Sequence, residues 1–497
     1  MKNSKIYGGI YTKGPSKKTD QFIMDPTMTV LENKLAPYYL WETIAHNLMI
    51  TKQEIVPKKI SKKILKELLK LVEKAKTQQL VDPLIGDVHE NIENQLTKTL
   101  GDDAGWFHIG RSRNDQSVVD QKLFTKKYLL DIFEKLSQLE LILLKKAEQN
   151  KEVIMPGFTH LRSAMPSTFG FWWQAYLGQI IDLHLALKAV YQITDKSPLG
   201  AGASYGVNWK IDPAFTAKKL GFSKPLNNAL SAINARGIED ALIISNLTVF
   251  LTILSRMMED LIIWSMPELN FITISEEFTT GSSIMPQKMN PDIAEKVKSK
   301  SAKLIGNLNH VLVAMKGIPS GYNRDSAESK IAIIDSLEES LSTVSITCDM
   351  LDKIIPNPET MKKATISSLP TKLADKLVEE YQIPFRLSHK VVGKIVGLVK
   401  GDLTKINNII IETAIKETVN KSFVINQKLI NEILNVENAL NQYNYQGSPK
   451  PYFVFQVNNL LKKEVNQLYE WVKKTKRKFS QTEKNLYQEV KSFIEDN

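Results

Sequence analysis

The eleven residues Gly281–Pro291, GSSIMPQKMNP, place two hydroxyls, an ammonium and a carboxamide within one short segment. Gly281 and Pro291 bound it as a loop rather than a helix interior. Such a loop can present Ser282 or Ser283, Lys288 and Asn290 to one small anionic ligand. These groups suit removal of a proton from carbon beside a carboxylate. The negative charge that develops there needs a cation and hydrogen-bond donors already in position. A plain surface turn bounded by Gly and Pro would explain a shorter match better than it explains one of this length.

This loop resembles the signature segment of the fumarase/aspartase superfamily, whose members eliminate across a carbon–carbon bond to release fumarate. HIGRSRNDQSVVDQ from His108, PGFTHLRSAMP from Pro156 and GIPSGYNRDSAESK from Gly317 resemble segments of its argininosuccinate lyase branch. Weaker similarity runs from YGGIYTKG near Tyr7 through LAPYYL at Leu35 to PFRLSHKVVGKIV at Pro384, and leaves the end of the chain unmatched. The resemblance implies β-elimination of argininosuccinate to arginine and fumarate, with no cofactor and no metal. It also implies a homotetramer whose active sites are shared between subunits.

Carried over residue by residue, the resemblance makes Ser282 the proton-abstracting base, with Ser283 the competing assignment. Lys288 and Asn290 would hold the carboxylate that accumulates charge. Thr159 and His160 follow a Pro-Gly turn, and His160 matches the histidine that passes a proton to the departing nitrogen, a role its near-neutral pKa suits. Glu295 would fix and charge that imidazole from the first turn of a helix opened by Asn290-Pro291-Asp292. Arg113 and Asn114 match contacts to the substrate carboxylate, for which arginine offers a planar pair of donors. The helix behind them is expected from Gln116, with Ser112, Asp115 and Gln116 holding the loop in shape. Tyr322 and Lys330 match contacts to the arginine-like half of the substrate, and His89 matches a position lining the site. His46, His184, His310 and His389 read as ordinary structural histidines.

The departures from the family pattern cluster on the leaving-group side. A glutamine of the family is Ala327, and the polar run Asn228–Gly237 keeps only its first asparagine and Arg236. Arg162 replaces a glutamine after His160, Ile10 replaces an arginine, and a substrate-binding serine falls near Thr27 or Thr29. One missing hydrogen-bonding group costs on the order of 1–3 kcal/mol, enough to shift preference among amines. Two other readings therefore stand beside argininosuccinate cleavage: a lyase for another N-substituted aspartate, and a silent, crystallin-like structural relative.

The elements that must position these groups are helices. Leu129, Phe133, Leu136, Leu139 and Leu143 recur at three- and four-residue steps, as do Ile244, Leu247, Leu251, Leu254, Met258 and Leu261. The second set is apolar on more than one face, which places it at the centre of a bundle or a subunit interface. The fold class expected is mainly α, a three-domain superfamily fold with a long central bundle. Its expected units are an N-terminal domain over 1–103, the bundle over 104–356, and a helical domain with a charged tail over 357–497.

Composition narrows the partners to a small anionic substrate. The chain of 497 residues is 43% hydrophobic and 24% charged, ordinary values for a globular protein. Its formal net charge of +11 is spread over helix faces, with one compact basic run near Lys473, so no nucleic-acid partner is expected. No apolar run of membrane-spanning length and no secretory leader are read, so no membrane partner and a cytoplasmic location are expected. Cys348 is the single cysteine. It falls on a helical apolar stripe, as a core thiol would. PLGAGASYG from Pro198 misses the dinucleotide fingerprint by one place, with no strand expected before it. His89 and Glu93, four residues apart, lack a third metal ligand.

Overall fold

The computed structural model of the protein describes residues 16–496, so the expectation at Ile10 lies outside the described residues. Five long helices dominate: Arg113–Gln149, Phe169–Thr194, Ile238–Trp264, Asp292–Met315 and Ser329–Asp352. They pack mainly on one another, with the Pro26–Lys52 helix lying against the first. Their shared core holds the expected stripes, including Leu129, Phe133, Leu136, Leu251, Leu254 and Leu261, all essentially inaccessible. Cys348 is buried in that core. The fold is mainly α, and the described strands are short pairs that shape loops.

Local signals set the helix ends. The Arg113 helix opens three residues earlier than its expected start at Gln116. Ser112 and Asp115 form a reciprocal capping box there, each side chain taking a backbone N–H of the other end. Asp87 and Glu90 cap the Val88–Leu100 helix in the same way. Thr168 caps Phe169–Thr194, and Gly170 leaves room for the preceding chain: a Cβ there would stand 2.5 Å from the Cα of Lys151.

Apolar side chains between Leu369 and Leu440 form a core of their own. The 45-residue helix Pro451–Glu495 instead returns to the bundle, burying Val465, Leu468, Val472, Phe479, Leu486 and Val490 against it. We propose that 1–103, 104–356 and 357–497 act as three units, the last fastened to the bundle by this helix.

The expectation that no apolar run reaches membrane-spanning length is corrected. The stretch Ala229–Trp264 contains a helix long and apolar enough to cross a membrane by length and composition, although 56% of its most apolar window is buried inside the chain. Burial on several faces explains why a core helix passes that test.

Candidate active site

The start of the Arg113–Gln149 helix opens into a cavity of about 570 Å³. Arg113, Asn114, His89, Tyr322 and Lys330, five of the expected site residues, all line it. They come from sequence-distant elements that ion pairs hold together. Lys330 donates to Glu32 at 2.7 Å, both groups being almost fully buried, and this ties the Ser329–Asp352 helix to the Pro26–Lys52 helix. Arg113 pairs with Asp87 and lies 3.7 Å from Glu90. Burial lowers the Arg113 guanidinium to about 10, the nearby Arg324 pushing the same way.

His89 sits beneath this cavity with Nδ1 3.4 Å from Asp87 and Nε2 3.2 Å from Asp120. Burial alone would strip its proton, but the two carboxylates outweigh that cost and raise the imidazolium to about 10. His89 is therefore a fixed cation at neutral pH. His108, also lining the cavity, is the opposite case. Burial, with Arg111 and His89 nearby, pushes it down to about 4 and keeps it neutral.

Arg236 also lines the cavity, and the sequence reading did not include it among the site residues. It is 5% exposed, its Nη2 donates to Ser117 Oγ at 3.3 Å, and its Nε–H has no partner among the described residues. Its guanidinium lies 5.4 Å from the centre of the Tyr322 ring. A buried guanidinium with an unmet donor, facing a cavity, fits an anionic ligand. Its survival within an otherwise altered polar run was the available signal.

The glycine loop after Pro198 serves this site structurally. A two-residue strand, Lys196–Ser197, precedes it, contrary to expectation. Asp115 accepts N–H bonds from Ser112, Gly200 and Gly202 at 2.9–3.0 Å. Gly202 has a left-handed φ of 58°, and a Cβ there would meet the Gly206 carbonyl oxygen at 2.8 Å. Ser204 then accepts from the Tyr322 N–H at 3.1 Å, so one loop links the Arg113 turn to Tyr322.

The position expected for a substrate-binding serine is occupied otherwise. Neither Thr27 nor Thr29 lines the cavity; Met28 does, together with Met24. Met28, Glu32 and Leu35 share the inward face of their helix, and the threonines point elsewhere.

The remaining expected residues lie outside this cavity in the single chain. Thr159 and His160 are exposed at the tip of a hairpin formed by Ile154–Thr159 and Arg162–Thr168. His160 and Leu161 make its two-residue turn, both with left-handed φ, 53° and 57°. The signature segment forms a second hairpin loop, closed by pairing of Thr280 with Asn290 and Gly281 with Met289. Ser282 Oγ accepts from the N–H groups of Ile284 and Met285 at 3.3 and 3.1 Å. Lys288 is exposed beside it, and Glu295 lies exposed in the first turn of Asp292–Met315.

A sequence profile described as lyase matches residues 16–306, and one described as argininosuccinate lyase C-terminal matches residues 367–441. The argininosuccinate lyase of Anoxybacillus flavithermus is 37% identical over 397 residues, 79% of this chain and 85% of that protein. The argininosuccinate lyase of Streptococcus agalactiae is 38% identical over 400 residues, 80% and 85% respectively. The chain belongs to the argininosuccinate lyase family. Solved structures agree on the fold of this carbon–nitrogen lyase family member. EDDS lyase in complex with formate superposes with a TM-score of 0.82 at 24% identity, over 97% of both chains. The class II fumarase of Schistosoma mansoni gives 0.69 at 18% identity, over 83% of this chain and 91% of the fumarase.

Proposed function

We propose that the protein cleaves argininosuccinate to arginine and fumarate by β-elimination, in a homotetramer whose subunits share active sites, in the cytoplasm. The observation that carries this reading is the cavity in which Arg113, Asn114 and the partly unsatisfied Arg236 converge with Tyr322 and Lys330. A substrate with a dicarboxylate at one end and a carboxylate at the other suits such a concentration of cations.

Ser282 removes the proton next to the carboxylate that will accumulate charge. Its oxygen already accepts two backbone N–H bonds, which favour the alkoxide over the neutral hydroxyl, whereas Ser283 has no such bonds among those described. Lys288 and Asn290 stabilise the resulting carbanion, and the C–N bond breaks as His160, held by Glu295, delivers a proton to nitrogen. Sharing between subunits is supported by exposure of both hairpin tips in the single chain, with Leu161 73% and Ile284 83% accessible. Incubation with argininosuccinate, followed by fumarate absorbance, tests the reading. Fumarate and arginine in equal amounts are expected, and a purified, folded protein releasing neither would overturn it.

A further inference from the structure

The cavity lining includes a group of apolar side chains close in sequence to Glu32 and Lys330, and Lys330 is one of the two residues that the family resemblance matches to the leaving-amine half of the substrate. Met24, Met28 and Ala327 form this group, with Pro83 and the half-exposed Ile23 also lining the cavity. The buried Lys330–Glu32 pair ties their two segments together. Met28 stands one helical turn before Glu32, and Ala327 stands three residues before Lys330. Both line the same cavity. Ala327 is 5% exposed and offers only a methyl group, and Met28 is 9% exposed and offers a flexible thioether. Neither can hydrogen-bond strongly to an ammonium or carboxylate on the departing amine. The charged and polar groups beside these side chains are Lys330, paired with Glu32, and Asp20, Tyr322 and Arg324, which line the same cavity.

We propose that Met24, Met28 and Ala327 form a specificity-determining apolar subsite, and that the enzyme therefore also eliminates unbranched N-alkyl aspartates to fumarate and the alkylamine. This rests on the proposed lyase reaction and names a further substrate class for the same site. The step balances without a co-reactant. The Cβ–H bond breaks to the base, its electron pair forms the carbon–carbon double bond, the Cα–N bond breaks, and nitrogen leaves carrying a proton as the free amine. A methylene buried in this subsite is worth roughly a three- to fourfold gain in kcat/KM, until the chain outgrows the cavity.

The test is a steady-state comparison of argininosuccinate with N-ethyl-, N-butyl- and N-hexylaspartate, for the native enzyme and for Met28→Ser and Ala327→Gln, which place hydrogen-bonding groups in the subsite. Native kcat/KM is expected to rise from ethyl to butyl by about tenfold. Each substitution is expected to lower kcat/KM for the butyl substrate several-fold and to raise it for argininosuccinate, mainly through KM. Cleavage of argininosuccinate with no turnover of any N-alkylaspartate, or with rates indifferent to chain length, would overturn the subsite and leave the lyase reading standing. No fumarate from any of the four substrates would overturn the lyase reading itself. Circular dichroism of both variants shows that they are folded, and retained argininosuccinate turnover makes their losses on butyl substrates readable.

Discussion

At the scale of single residues the cavity sets His89, held by two carboxylates, against Arg236, which keeps an unmet donor among the described residues. His89 carries fixed charge. Its folded pKa of about 10 exceeds the unfolded value near 6.5, so its contribution to stability is fully present below that lower value and is lost as pH rises through about 10. The groups facing it are Asp87 and Asp120, with the Tyr39 ring packed edge-on at 4.6 Å. Melting temperature of the native protein should therefore fall between pH 7 and 10, with a smaller fall in His89→Gln. Parallel melting profiles for the two would refute the fixed-cation reading. Arg236 instead has an Nε–H with no hydrogen-bond partner among the described residues. If its unmet Nε–H binds a substrate carboxylate, Arg236→Lys loses a charge-assisted bond worth about 1.5–3 kcal/mol, or roughly 10- to 100-fold in kcat/KM. Kinetics within twofold of native would place its role elsewhere.

At the scale of elements, the most informative feature is the turn that carries His160. Two successive non-glycine residues in left-handed conformation cost about 1–2 kcal/mol each, and the pairing of Thr159 with Arg162 holds them there. Asparagine, like histidine, is among the non-glycine residues found most often in this conformation. His160→Asn is thus expected to keep the melting temperature while fumarate release falls by about 10²- to 10⁴-fold. Unchanged turnover would remove His160 from the proton path. How legible such elements were depended on contiguity. The signature loop and the PGFTHLR turn could be read because their chemistry lies within a few consecutive residues. The start of the Arg113 helix was misplaced although Ser112-x-x-Asp115 is a capping pattern, because SRND also reads as a polar loop. Met28 was overlooked in favour of the flanking threonines, although the step Met28–Glu32–Leu35 follows the helical period and would have pointed inward. Arg236 needed three dimensions, since no local pattern tells a buried, partly unsatisfied guanidinium from an ordinary one.

At the scale of the molecule, the single chain leaves its proposed chemistry divided. The cavity proposed to bind carboxylate is lined within the single chain, and the proposed base and acid, Ser282 and His160, sit on hairpins outside it. Exposed Ile238, Leu242 and Val249 on the Ile238–Trp264 helix, with Ile305, Leu312 and Val313 on the Asp292–Met315 helix, offer the apolar surface that a helical assembly would bury. If neighbouring subunits complete each cavity, two separately inactive variants should repair one another. Ser282→Ala removes the proposed base and Arg236→Ala removes a cavity cation, so a hybrid oligomer contains some sites with both groups intact. Co-expression of the two variants under different affinity tags, with purification through both, is expected to yield activity that neither parent shows. Sites built within one subunit would always carry one lesion or the other. An inactive, correctly assembled hybrid would therefore reject sharing, while the native enzyme's turnover would continue to test the reaction independently.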